Sequence, residues 1–180
     1  MAEAIALGET ARGTTAPNPN VGCVIVSGKG KIVGRGATAP GGRPHAEALA
    51  LNQAGKRAPG STVYVSLEPC AHVSERGPAC ADLLAEARPA RAVIALKDPD
   101  PRTCGKGIER LREAGIEVNV GTGRAAAAQS IAGYLTRLRL GRPRITLKLA
   151  LSIDGKIALP SGESQWISGE DARRNVHLER

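Results

Sequence analysis

The sequence has no phenylalanine, and its only aromatic rings besides histidine are Tyr64, Tyr134 and Trp166. A core without Phe must be filled by Ala, Val, Leu and Ile. So few rings also argue against gripping nucleic acid by stacking bases on an aromatic platform, and no nucleic-acid partner is expected. No stretch approaches the ~18–20 consecutive apolar residues of a membrane-spanning helix, so no membrane partner is expected either. The start, Met1-Ala2-Glu3-Ala4-Ile5, lacks the basic region and apolar run of a secretory signal, and the expected location is the cytoplasm. No long run of like charges forms a basic arm. Cysteines are few (Cys23, Cys70, Cys80 and Cys104), and without a secretion signal they are expected to be reduced thiols rather than disulfides.

What is present is ordinary for a globular chain: 180 residues, 42% hydrophobic and 23% charged. That length suits about one to one and a half domains. The formal charge of +8, from 25 basic and 17 acidic residues, suits an anionic partner such as a phosphate-bearing metabolite, and equally serves solubility.

Pattern and punctuation predict the elements. Met1–Arg12 reads as a helix stopped by Gly13, and Ala16-Pro17-Asn18-Pro19-Asn20 as an extended loop. Val21–Val26 and Lys31–Gly36 read as two strands joined by the hairpin turn Ser27-Gly28-Lys29-Gly30. Helices are expected at His45–Ala54, Cys80–Ala87, Gly107–Ala114 and Ala125–Leu140. Strands are expected at Thr62–Leu67, Arg91–Leu96, Ile116–Val120 and Arg144–Leu149. Helices alternating with short apolar strands predict an α/β fold, a three-layer α/β/α sandwich around a mixed sheet. Gly141-Arg142-Pro143 is the one plausible boundary, giving domains 1–142 and 143–180. The 38 residues of the second are expected to be too few for a core of their own, since chains below ~40 residues rarely fold without a disulfide or metal.

The chemistry gathers at three places. Pro44-His45-Ala46-Glu47 opens a helix, Glu68-Pro69-Cys70 closes a strand, and Cys80 opens the next helix. One histidine and two cysteines leave a fourth position open, which is the ligand count of a catalytic zinc rather than a closed structural site. Glu47 lies two residues from His45 on the same helical turn. It is near the metal without binding it, where a proton shuttle must sit. Zinc deaminases combine His-x-Glu with a later pair of cysteines in this way, the Glu acting as general acid and base. Either feature alone is weak, because His-Ala-Glu on a helix is ordinary surface and two cysteines are often two buried small residues. His72 is a rival ligand, but adding it would close the open position, so it reads as a substrate contact. Cys23 reads as a buried apolar residue of a strand, and Cys104 has no assigned role.

Several longer stretches carry a resemblance. Pro17-Asn18-Pro19-Asn20-Val21-Gly22-Cys23-Val24-Ile25-Val26, His45-Ala46-Glu47, Tyr64-Val65-Ser66-Leu67-Glu68-Pro69-Cys70-Ala71-His72 and Asp98-Pro99-Asp100-Pro101 resemble the bifunctional riboflavin-biosynthesis deaminase/reductase family. Leu147-Lys148, Ser152-Ile153-Asp154-Gly155-Lys156 and Gly162-Glu163-Ser164-Gln165-Trp166-Ile167-Ser168 resemble the opening of its reductase domain. The resemblance implies a cytidine-deaminase-like domain followed by an incomplete dihydrofolate-reductase-like segment. It implies hydrolytic removal of the amino group of 2,5-diamino-6-ribosylamino-4(3H)-pyrimidinone 5′-phosphate, then NADPH-dependent reduction of the ribosyl group to ribityl.

Carried over by motif, His45, Cys70 and Cys80 would bind Zn2+ and Glu47 would donate protons. Asn18 would face the pyrimidine, and His72, Arg76 and Asp98 the substrate. In the second segment Ala150 and Trp166 match NADP-contacting positions, and Ser164 and Arg180 match substrate-contacting ones. The loop between Cys70 and Cys80 is one residue longer than is common in the family, and Asp100 stands where Asn is usual. The family's reductase domain is several times longer than residues 143–180, so NADPH is expected to serve only the complete domain. Trp166 is expected to lack packing partners here. A small phosphorylated substrate is the expected partner, and homo-oligomerisation is left open. The alternatives are a tRNA adenosine or nucleoside deaminase, which would place the second cysteine three residues after the first, and a non-catalytic zinc-binding module, which has no use for Glu47.

Overall fold

The computed structural model describes residues 1–72 and 74–178. The chain forms two compact units, Met1–Arg144 and Ile145–Arg180.

In the first unit the elements run α1 (Ala2–Thr10), β1 (Gly22–Val26), β2 (Ile32–Ala37), α2 (Ala46–Ala54), β3 (Thr62–Val65), α3 (Cys80–Ala87), β4 (Arg91–Ile94), α4 (Lys106–Glu113), β5 (Glu117–Val120), α5 (Arg124–Ser130) and α6 (Ala132–Leu140). The strands form one sheet in the order β2-β1-β3-β4-β5. A tight turn joins β1 to β2, so they pair antiparallel, Cys23 opposite Gly36. β3 also runs antiparallel to β1, with Val24 opposite Tyr64. The crossovers through α3 and α4 make β3, β4 and β5 parallel, with Val65 beside Ile94 and Ile94 beside Val120. The sheet is therefore mixed, as the element order predicts.

Helices cover both faces, and glycines set how closely they approach. A Cβ on Gly22 of β1 would lie 1.8 Å from the Ala4 carbonyl of α1. A Cβ on Gly36 of β2 would lie 2.1 Å from the Ala46 carbonyl of α2. Each strand thus meets a helix backbone with no side chain between. The facing helices supply alanines, with Ala4 buried on α1 and Ala46, Ala50 and Ala54 buried on α2. This is how a chain without Phe closes its core: thin layers, filled by Ile25, Val63, Val65, Ile94, Leu84 and Leu111. Burying each such aliphatic side chain contributes roughly 1.5–3 kcal/mol relative to exposure. Cys23 is fully buried in β1, as its position predicts, and Cys104 is exposed.

Two expectations need correction. The single helix Ala125–Leu140 is two helices, α5 and α6, meeting at Ile131, whose φ −105° and ψ 25° are not helical. Ala127, Ile131 and Leu135 form one buried stripe across the break, and the amides of Ile131 and Leu135 still bond to Ala127 and Ile131. Apolar spacing cannot register a kink that leaves the stripe intact. The strand expected at Arg144–Leu149 is not formed. Its alternation is real, with Ile145, Leu147 and Leu149 on one parity, but a strand exists only when a neighbour takes its hydrogen bonds. Among the described residues none pairs with it, and those three side chains are exposed.

Among its described residues the second unit has tight turns and one helix rather than strands. Ser152 and Lys156 close the first turn, and Leu159 and Glu163 the second. The helix, α7 (Glu170–Leu178), is not foreseen by the sequence pattern. Trp166 is 69% exposed, with the Arg173 guanidinium 4.1 Å from its ring centre. Among the described residues no helix is long and apolar enough to cross a membrane.

Candidate metal centre and substrate cleft

Three chain reversals deliver the donors to one point. The chain leaves β3 at Val65 and runs through Glu68 and Pro69 to Cys70. His45 is the N-cap of α2, held extended at φ −73° and ψ 161°. Cys80 is the first residue of α3. Two helix N-termini therefore point at the same spot, and their partial positive charge favours thiolate over thiol. His45 Nδ1 lies 3.6 Å from Cys70 Sγ and 3.3 Å from Cys80 Sγ. The Cys80 amide donates to Cys70 Sγ at 3.2 Å, and the Ala81 amide donates to the Cys70 carbonyl at 3.1 Å. All three donor atoms lie within 4.8 Å of one another. Among the described residues this is the one cluster of three or more His, Cys, Asp or Glu groups fit to hold a metal.

The donor set suits zinc. Bonds of ~2.3 Å to sulfur and ~2.0–2.1 Å to nitrogen in a tetrahedron put donors ~3.5–3.8 Å apart, and the observed nitrogen–sulfur spacings sit close to that. Cys70 is the easier thiolate: hydrogen bonds from the Cys80 thiol, from His45 and from the Cys80 amide pull its pKa well below the ordinary value, against burial. Cys80 moves the other way because it holds the shared proton and is buried.

Glu47 is 3% exposed, on the first turn of α2. Burial pushes its carboxyl up to about 7, the adjacent Cys70 sulfur adding to the rise and His45 opposing it. A carboxyl so placed can hold or release a proton near neutrality, beside the donor cluster and not within it.

His45, Glu47, Glu68 and Cys70 border a cleft of about 270 Å³, whose wall also includes Asn18, Arg43, His72, Arg76, Asp100, Arg102, Tyr134 and Arg137. Asn18 donates to the Gly42 carbonyl at 2.8 Å, and its amide lies 3.0 Å from His45 Nε2, so it also sets the plane of that imidazole. His72 stays out of the donor cluster, with Nδ1 3.5 Å from Thr103 Oγ1. The Arg76 guanidinium donates to the Gly41 carbonyl at 2.7 Å, and Arg43 reaches back to the Pro78 carbonyl at 3.3 Å. The longer loop between the cysteines is thus tied at Arg76 and Pro78 to the loop before His45.

Asp98 is buried and does not line the cleft. It accepts the Tyr134 hydroxyl at 2.8 Å and the Asp100 amide at 2.9 Å. Burial raises its pKa, with those two hydrogen bonds opposing. Asp100 takes the Arg102 guanidinium with both oxygens, and this pairing holds its carboxyl below the usual range. Sequence reasoning missed Arg43, Arg102, Tyr134 and Arg137 as cleft residues. For Arg102 a signal was available, since it follows Asp98-Pro99-Asp100-Pro101 directly. Tyr134 and Arg137 come from α6, and nothing in the sequence brings that helix to the cleft. Ala150, Ser164 and Trp166 are exposed in the second unit. Arg180 lies outside the described residues.

Comparison with known proteins agrees with this geometry. Residues 143–180 match the RibD C-terminal domain. The riboflavin biosynthesis protein RibD of Escherichia coli K12 is 51% identical over all 180 residues, which cover 48% of its length. The diaminohydroxyphosphoribosylaminopyrimidine deaminase/5-amino-6-(5-phosphoribosylamino)uracil reductase of Thermotoga maritima superposes with a TM-score of 0.91 at 38% identity, covering 100% of this chain and 51% of that one. Acinetobacter baumannii RibD superposes with a TM-score of 0.84 at 46% identity, covering 97% and 49%. The chain spans about half the length of the relatives it matches. Residues 1–96, which hold His45, Glu47, Cys70 and Cys80, match the cytidine and deoxycytidylate deaminase zinc-binding region, and the chain belongs to that family.

Proposed function

We propose that this chain is a cytoplasmic, zinc-dependent aminohydrolase of riboflavin biosynthesis, acting on 2,5-diamino-6-ribosylamino-4(3H)-pyrimidinone 5′-phosphate. In this reading residues 1–142 are the deaminase domain and residues 143–180 the opening of an NADPH-dependent reductase domain. One observation carries it: His45, Cys70 and Cys80 converge on one point, with the buried, protonatable Glu47 beside them, in a cleft edged by arginines.

His45 Nδ1 and the two thiolates are the residues that hold Zn2+. When bound, zinc supplies the Lewis acidity that brings the pKa of a water molecule towards ~7. Glu47 moves the protons. It takes one proton from the attacking water and passes it to the ring nitrogen, then takes the second from the hydroxyl now on the ring carbon and passes it to the departing amine. The water oxygen bonds to the amino-bearing ring carbon, the carbon–nitrogen bond breaks, and one ammonia leaves for each water consumed. Asn18 meets the pyrimidine, and His72 contacts the substrate. Arg76 answers the phosphate, in keeping with the net charge of +8. Asp98 serves the substrate through Tyr134 and Asp100, which it holds in place. Ala150 and Trp166 on NADPH, and Ser164 and Arg180 on substrate, belong to the reductase step and act only in a completed domain.

The test is metal analysis of the purified chain combined with an ammonia-release assay on the pyrimidinone phosphate. The reading expects one zinc per chain and stoichiometric ammonia. A chain that binds no zinc, or one that binds it and releases no ammonia, overturns it.

A further inference from the structure

Glu68 ends the approach from β3 to Cys70, yet its carboxylate does not reach the donor cluster. It is 3% exposed, and its two oxygens are fully engaged by backbone. Oε2 accepts the amides of Asp98 at 3.1 Å and Gly105 at 3.0 Å. Oε1 accepts the amide of Ile108 at 3.1 Å. Its own amide donates to the Leu96 carbonyl at 2.8 Å. Glu68 thus binds residues 96–108 at four points.

The reason for this demand lies at the start of α4. The N-cap of α4 is Gly105, which has no side chain to satisfy the free amides of the first turn. Glu68 caps the helix from another segment of the chain, with a full negative charge at its positive end. Packing leaves room for nothing else, since a Cβ on Gly107 would lie 2.1 Å from the Pro69 carbonyl and 3.2 Å from Glu68 Oε1.

The captured segment is one wall of the cleft. It carries Asp100 and Arg102, which line the cavity. It also carries Asp98, which holds the hydroxyl of Tyr134, another lining residue. Two residues after Glu68 comes Cys70. One buried carboxylate therefore sits between the donor cluster and the substrate wall.

We propose that Glu68 is a positioning residue: it borders the cleft, but its carboxylate oxygens are taken by backbone amides, so it acts by fixing the 98–105 wall relative to the metal centre and thereby sets substrate affinity. This rests on the deaminase reading for its kinetic consequence but not for its structural one.

Glu68→Gln is the direct test. The amide oxygen can serve two of the three amides, but its NH2 then confronts the third, and two donors cannot bond to each other. The wall should loosen at one attachment. In the zinc-loaded chain KM for the pyrimidinone phosphate should rise at least ~10-fold with kcat changed less than ~3-fold, the pattern of lost binding rather than lost chemistry. Zinc content should stay at the wild-type value. Amide exchange supplies a reading independent of activity. The amides of Asp98, Gly105 and Ile108 should lose protection, while those of Val63 and Ile94 in the sheet keep theirs. Should Glu68→Gln fail to fold, Glu68→Asp keeps the charge, retreats by one methylene, and carries the same readouts.

An unchanged KM, a fall confined to kcat, or loss of zinc overturns the proposal, as does unaltered exchange at the three amides. If the wild-type chain releases no ammonia, the deaminase reading fails, and the exchange measurement alone decides the structural role of Glu68.

Discussion

Glu47 carries a carboxyl whose ordinary preference for charge is offset by burial, next to three residues that all favour a metal. Glu47→Gln keeps its shape and removes only its ability to carry a proton. Zinc content should be unchanged and turnover should fall by at least ~10²-fold, the lower end of what general acid–base catalysis supplies. Ammonia release and metal analysis on the same sample check this, and retained turnover would give the proton work to another group. Cys80→Ser makes the complementary case. A hydroxyl gives up its proton to a metal far less readily than a thiol does and is a harder, weaker zinc ligand, so zinc affinity should fall by more than the ~10–100-fold that loss of an outer-shell partner costs. A chelator competition reads that directly, and unchanged affinity would remove Cys80 from the ligand set. These residues were legible in the sequence because type and spacing suffice: a His at a helix start and a Cys at each end of a short loop. Glu68 was not, because its partners are backbone amides 30 to 40 positions later, and a backbone amide has no sequence signature.

Among the elements, α2 has the closest link to the site, since its first turn bears Glu47 and its N-cap is His45. It is seated directly on β2 through Gly34 and Gly36. Gly36→Ala would put a methyl 2.1 Å from the Ala46 carbonyl, and backbone cannot yield as a flexible side chain can. Overpacking of this kind costs about 1–3 kcal/mol or more. Urea unfolding should show that loss, and zinc binding should weaken with it because His45 is displaced. An unaltered midpoint would mean that α2 slides at no cost. On α3, Leu84→Ala should cost about 2–5 kcal/mol, because Leu84 is fully buried. Helix and strand identities in the first unit follow from periodicity and from Gly and Pro punctuation. The kink at Ile131 escaped because the buried stripe runs through it. The strand at Arg144–Leu149 is a different failure: local alternation states a preference, and only a neighbouring strand can satisfy it.

At the scale of the whole chain, the first unit owns a continuous core and the complete donor cluster, whereas the second leaves Ile145, Leu147, Leu149, Ile153 and Trp166 exposed. A nucleotide cofactor needs walls that bury most of its surface. This 180-residue chain should therefore show no saturable micromolar binding of NADPH by titration, and saturable binding would mean that residues 145–180 make a pocket on their own or with a second copy. Deamination makes no such demand on the second unit, because every group assigned to it lies between Asn18 and Arg137. The central claim is that these residues suffice to remove an amino group from the pyrimidinone phosphate with zinc in place. It is tested most directly by ammonia release from that compound by the zinc-loaded chain, with the chelated chain alongside. The account predicts turnover that disappears on chelation and returns with zinc. Turnover indifferent to zinc, or none in the zinc-loaded chain, would contradict it.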